Sequence, residues 1–303
     1  MKKLYGITTA MTTPFREDGK VDIASIEAQT EMLIRKGVNC LYPSGTTGEM
    51  LRLSTAERRE IMEAVVSTAK GRVPVFIHCG AMREEDVIEL ARHAAEVGAD
   101  GIGVVTPQFF GVNDREMEEF YVRVAKSIPN DYPMYLYCIP QCAANDIKAS
   151  VVQAIAGRAE NVVGIKYSFA DINRTMDYLK VNDYTFSVMH GCDRTYLAFS
   201  ALGCDGTVSG ISGVFPEPFV EVQKAIEAHD LETARKWQRQ CARITDILKG
   251  GSNMSYFKEA LTIRGMQGGH MRKPQLDIEA GEVAWLQQEL ERFCADTNIA
   301  LKA

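Results

Sequence analysis

No stretch of this chain approaches the roughly 18 consecutive apolar residues of a membrane-spanning helix. It also lacks any basic excess. Thirty-four Lys and Arg stand against 40 Asp and Glu, for a net charge of -6, and the absence of a basic stripe argues against a nucleic-acid footprint. The eight cysteines, at positions 40, 79, 138, 142, 192, 204, 241 and 294, never form a C-x-x-C pair. Several lie in apolar stretches, so they read as buried, reduced thiols rather than a disulfide framework. The start, Met1-Lys2-Lys3-Leu4-Tyr5-Gly6, carries charge but not the apolar core of a secretory leader. A cytoplasmic location is therefore expected, and the glycosylation-like triplets at Asn173 and Asn253 are chance matches. There is no Pro/Ser-rich linker and no low-complexity segment.

What is present is ordinary globular material. Apolar residues make up 46% and charged residues 24% of 303, which excludes a disordered chain. A chain of this length buries roughly three quarters of its unfolded surface. Eight short apolar runs punctuate it: Tyr5–Met11, Asn39–Tyr42, Val75–Cys79, Gly101–Val105, Met134–Cys138, Val162–Lys166, Phe186–His190 and Gly206–Ser209. Continuous rather than alternating hydrophobicity predicts strands buried on both faces, as in a parallel sheet. Helical patterns lie between them. Over 83–98, Val87, Leu90, Ala91, Ala94 and Val97 share one face. Ser54 and Glu57 form a capping box, and Pro216 suits the first turn of a helix after the eighth run.

One phrase recurs where helix passes to strand: Lys36-Gly37-Val38-Asn39, Val97-Gly98-Ala99-Asp100 and Leu202-Gly203-Cys204-Asp205. Each places Gly just past a helix end, then a polar residue, then a strand. Reuse of one turn indicates a repeated βα unit, and eight such units predict an α/β fold of the (β/α)8 TIM-barrel type, spanning residues 1–230. Beyond it, patterns at roughly 231–248, 254–264 and 281–297 predict a C-terminal helical extension, 231–303, packed on the barrel.

In such a barrel, chemistry sits where the strands end. After the second run, Pro43-Ser44-Gly45-Thr46-Thr47-Gly48-Glu49 offers backbone amides and two hydroxyls, a nest for a carboxylate. After the fifth, Tyr137 at the mouth can give and take a proton. The sixth ends in Lys166, behind Val162-Val163-Gly164-Ile165. A lysine there points into the mouth, and desolvation disfavours its charged form, leaving an amine nucleophilic toward carbonyls. Together these groups describe a Schiff-base enzyme acting on a 2-keto acid. His78, His190 and Asp193 also lie near strand ends and leave open a metal-dependent aldolase, although their spacing matches no metal motif and the expectation is no metal.

The order and spacing of these elements resemble the dihydrodipicolinate synthase / N-acetylneuraminate lyase family of class I pyruvate aldolases. The matching elements are Gly45–Glu49, Tyr137–Pro140, Gly164–Lys166, Gly191-Cys192-Asp193, Thr13–Phe15 and Val105–Pro107, over about residues 4 to 274. The resemblance implies a homotetramer that needs no cofactor, with pyruvate and an aldehyde as its partners. It implies that Lys166 forms the Schiff base, that Tyr137 shuttles protons with Thr46 in the relay, and that Gly45 and Thr47 hold the pyruvate carboxylate. Val208 would add a backbone contact, and Ser168, Gly191 and Asp193 would complete the substrate site.

Departures from the family pattern bear on the substrate. The synthases that condense pyruvate with aspartate semialdehyde carry an Arg where this chain has Cys142, and a thiol cannot replace a bidentate guanidinium. They also have a relay Tyr where this chain has Phe109. Sialic-acid lyases resemble this chain at Leu53–Arg58 and Arg272-Lys273-Pro274, but have an acid where it has Arg194 and Ser-Thr where it has Gly210-Ile211. Arg194 is read as binding a second anionic group on the substrate. The leading expectation is a lyase cleaving or forming a 2-keto-3-deoxy-type acid. The alternatives are the synthase itself and a keto-acid-binding regulator with impaired turnover.

Overall fold

A computed structural model describes residues 1–251 and 253–303. Eight strands form one parallel sheet: β1 Gly6–Ala10, β2 Cys40–Tyr42, β3 Phe76–His78, β4 Gly101–Val105, β5 Met134–Cys138, β6 Val162–Tyr167, β7 Ser187–His190 and β8 Gly206–Ser209. Their order is β2-β1-β8-β7-β6-β5-β4-β3. The two ends meet through a parallel bridge between Leu41 and Val75. The chain is a (β/α)8 TIM barrel, and every apolar run of the sequence holds one of its strands.

Continuous hydrophobicity follows from the two sides of the barrel wall. Leu41, Ile77, Ile102, Leu136, Ile165 and Val188 face outward into the main core shared with the helices. Their neighbours Tyr42, Phe76, Tyr135, Met189 and Val208 form a separate buried cluster inside the barrel. That interior pairs large against small. A side chain at Gly103 would overlap the Tyr42 hydroxyl, and one at Gly101 would overlap the Phe76 ring. Aromatics thus fill the barrel because the neighbouring strand leaves the space.

The helices form where the pattern predicts them. Glu84–Glu96 buries Val87, Leu90, Ala91 and Ala94, and Val97 caps its end. Ser54 and Glu57 form the capping box of Thr55–Ala69, and Pro216 opens Pro216–Glu227. Gly37, Gly98 and Gly203 all have positive φ, at 86°, 79° and 108°, the left-handed geometry that the recurring turn requires. Three further helices follow: Leu231–Ile247, Met254–Ile263 and Ala280–Thr297. Buried Arg264 ties this segment to the barrel by donating to the Val214 carbonyl at 2.6 Å and to both carboxylate oxygens of Glu217. All eight cysteines are free, and six are buried. Cys192 is half-buried, and Cys142, on the short helix Pro140–Ala143 at the mouth, is exposed. No described helix is long and apolar enough to cross a membrane.

Candidate active site

Lys166 lies one residue before the end of β6, in register with Tyr137 of β5 and Met189 of β7. It is only 4% exposed. Alternation along the strand turns it into the barrel, where its Nζ sits 3.8 Å from the centre of the Tyr137 ring and 5.1 Å from that of Tyr42. Both ring faces attract a cation placed there. The Tyr137 hydroxyl lies 3.2 Å from Thr46 Oγ1. Strands two, five and six therefore deliver an amine, a phenol and a hydroxyl to one point.

Thr46 belongs to a loop held under backbone strain. Ser44 and Glu49 bracket it with φ of 58° and 59°, a conformation that non-glycine residues adopt mainly at over-determined sites. The amides of Glu49 and Met50 close the turn onto the carbonyls of Thr46 and Gly45. Thr13 donates to the Gly48 carbonyl at 2.8 Å. Gly48 is tightly enclosed, because a Cβ there would lie 3.1 Å from the Met11 carbonyl and the Ser44 backbone. Among the described residues, no hydrogen bond uses the amides of 45–48, which leaves them available to an anion. Thr47 packs against Gly210 at the end of β8.

His78 fastens this loop to β3, a role the sequence did not suggest. Its backbone amide donates to Pro43 and its Nδ1–H to the Ser44 carbonyl at 3.1 Å. Its ring stands edge-on to Tyr137 at 5.8 Å and tilted to Tyr42 at 6.0 Å. Buried Arg58 donates to the carbonyls of His78 and Gly80, at 2.5 and 2.8 Å. Burial, reinforced by the Arg58 and Lys166 charges, holds His78 well below its usual pKa, and so neutral. His190 stacks on Phe199 instead, 3.2 Å between ring centres. Among the described residues, no three His, Cys, Asp or Glu side chains converge as a metal site.

The remaining predicted residues line the same end of the barrel to differing degrees. Ser168 is buried just past β6, and Gly191 closes on it so tightly that a side chain at 191 would overlap the Ser168 hydroxyl. Asp193 follows β7. Burial pushes its carboxyl up to about 6, against the Ser209 hydroxyl, the Ile211 amide and the Lys166 charge. Gly45 is buried against Tyr42 and His78. The Val208 side chain packs in the barrel interior. Arg194 stands apart: it is exposed and pairs with Asp246 of helix Leu231–Ile247.

A cavity of about 490 Å³ opens beside Thr46, lined by residues that include Met50, Arg52, Gln108, Ile139 and Met254. Met254 comes from beyond the barrel. The sequence offered no signal for that contribution, which depends on how helix Met254–Ile263 docks.

The profile of the Dihydrodipicolinate synthetase family matches residues 3–292. A 4-hydroxy-tetrahydrodipicolinate synthase from Acidiphilium cryptum is 33% identical over 89% of this chain and 91% of its own length. A probable 2-dehydro-3-deoxy-D-pentonate aldolase from Escherichia coli is 33% identical over 82% of each. Among solved structures, a prophage protein of the dihydrodipicolinic acid synthase family from Escherichia coli, in complex with pyruvate, superposes with a TM-score of 0.90 at 27% identity, covering 96% of this chain and 99% of that one. The chain belongs to the dihydrodipicolinate synthetase family and is an enzyme of its aldolase and lyase type.

Proposed function

We propose that this family member forms a Schiff base between Lys166 and pyruvate, and uses it to make or break the bond between pyruvate C3 and an aldehyde carbon. The carrying observation is the placement of one buried lysine over the Tyr137 ring, with the Tyr137 hydroxyl against Thr46. The Lys166 amine adds to the pyruvate carbonyl, and water leaves to give the iminium. The iminium is the electron sink that lets a C3 proton depart. Tyr137, linked to Thr46, carries protons to and from the oxygens involved. The free amides of the strained loop and the Thr47 hydroxyl hold the pyruvate carboxylate. Gly45, Ser168, Gly191 and the Val208 backbone shape the rest of that pocket, and Asp193 supplies a carboxyl that feels the Lys166 charge.

The product of the forward step is a 2-keto-3-deoxy-type acid. The aspartate-semialdehyde synthase reading is disfavoured by Cys142, a thiol at the mouth where that chemistry uses a guanidinium. For Arg194 to bind a second substrate anion, its ion pair with Asp246 must open. The same reading has the chain acting in the cytoplasm as a homotetramer. Phe109 and Phe110, 74% and 75% exposed, are a surface such an assembly would cover, and the molar mass in solution tests this.

The experiment for the chemical step needs no aldehyde. In D2O the enzyme should exchange the methyl protons of pyruvate for deuterium, read by proton NMR, and Lys166→Ala should abolish the exchange. Exchange that persists in Lys166→Ala would assign the chemistry to another group.

A further inference from the structure

The cavity beside Thr46 has a wall that is not part of the main core. Met50, Val105, Ile139 and Ala143 form a small buried cluster with Tyr137 itself, and Leu51 and Met254 extend it along the cavity. This wall of the cavity is carbon and sulfur, while Arg52 and Gln108 are among the polar groups elsewhere in the lining.

Several of the polar groups nearby are already engaged. Arg52 pairs with Glu49 at 3.2 Å, and Glu49 pairs with Lys258 at 2.6 Å. The Thr46 hydroxyl is taken by Tyr137. At the end of β8, Gly210 and Ile211 bring no side-chain polar atom. Gln275 is exposed at the rim. One neutral side-chain donor of the lining is buried without a hydrogen-bond partner among the described residues, the amide nitrogen of Gln108. A polyhydroxylated chain placed here would bury hydroxyls without partners, which is unfavourable, whereas an apolar chain would gain by leaving water.

We infer that the aldehyde partner carries an apolar chain or ring rather than a polyol, with room for one hydrogen-bonding oxygen at Gln108, and that Met50, Ile139 and Met254 select it. The inference rests on the Schiff-base reading. C3 of the Lys166 enamine attacks the aldehyde carbon and forms the C–C bond. The aldehyde oxygen takes the proton held by Tyr137. Water then adds to the iminium and releases the Lys166 amine, leaving a 2-keto-4-hydroxy acid with an apolar tail.

The test is a set of initial rates with pyruvate and one of four aldehydes, with the keto acid product quantified by mass spectrometry. Hexanal and benzaldehyde should give kcat/KM at least tenfold above D-glyceraldehyde and D-erythrose. Equal or faster condensation with the hydroxylated pair would overturn the inference. So would no condensation with the apolar pair while pyruvate still exchanges its methyl protons in D2O. Loss of that exchange in the native enzyme would instead bring down the Schiff-base reading, and this inference with it. Met254→Asn should lower the apolar-to-hydroxylated ratio at least fivefold and leave the KM for pyruvate in place; an unchanged ratio would remove Met254 from the selecting wall.

Discussion

Lys258, on the helix that follows the barrel, meets Glu49, at the end of the loop after β2, at 2.6 Å, with their side chains 2% and 1% exposed. Lys258 also donates to the His270 carbonyl at 2.6 Å and lies over the Phe15 ring. The loop that carries Thr46 and Thr47 is therefore held from outside the barrel. Burial lowers the pKa of Lys258, and the Glu49 charge resists that fall.

Removing one partner of such a pair leaves an uncompensated buried charge. Lys258→Met should destabilise the fold by roughly 3 kcal/mol and raise the KM for pyruvate, because the loop loses its anchor. The double variant Glu49→Gln/Lys258→Met should recover much of the stability. Denaturant melts of Glu49→Gln, Lys258→Met and the double variant, with steady-state kinetics, check this; additive losses would show that the pair is not coupled.

Tyr137 and Thr46 meet at 3.2 Å, so their variants should hurt the same step. Tyr137→Phe should cut kcat by about 10²- to 10³-fold, in the range of a lost general acid–base group. Thr46→Val should cut it less, and adding Thr46→Val to Tyr137→Phe should cost little more. Kinetics of the pair check this, and fully additive effects would separate the two roles.

Asp193 gives a pH dependence. Its folded pKa, about 6, lies above the ordinary carboxylate value of 3.8. The folded state therefore binds more protons than the unfolded one between these values, and stability falls as pH rises through that window. The difference is on the order of 2 kcal/mol after screening. Denaturant midpoints from pH 4.5 to 7 should decline in the native protein and stay flatter in Asp193→Asn. Parallel slopes would contradict the assignment.

Gly103 has no room for a methyl group, because one would overlap the Tyr42 hydroxyl inside the barrel. Gly103→Ala should destabilise by about 3 kcal/mol, the upper range for overpacking a rigid core. Thermal denaturation checks this. A larger effect than that of the outward-facing Ile102→Val would place the strain in the interior aromatic layer.

The barrel was legible because its strands are buried on both faces and its turns repeat one glycine phrase. Lys166 and Tyr137 were legible for a related reason: a polar residue at the end of an apolar run has one place to go. Asn39, by contrast, looks like part of the second run, yet its side chain accepts from the Ile7 amide at 2.8 Å and the strand starts at Cys40. What stayed hidden depends on docking between distant segments. Arg58 and Lys258 look like surface residues of amphipathic helices, but each is 2% exposed. Each charge is satisfied by groups far off in sequence, backbone carbonyls for Arg58 and Glu49 for Lys258. Arg194, four residues past β7, looked poised over the mouth, yet Asp246 on a later helix engages it.

The central claim is that Lys166 is the nucleophile toward pyruvate. The most direct measurement is reduction with sodium borohydride in the presence of pyruvate, followed by intact and peptide mass spectrometry. The account predicts one reduced pyruvyl adduct per chain, on the peptide that contains Lys166, and none in Lys166→Ala. A folded native enzyme that gains no adduct, or gains it on another lysine, would contradict it.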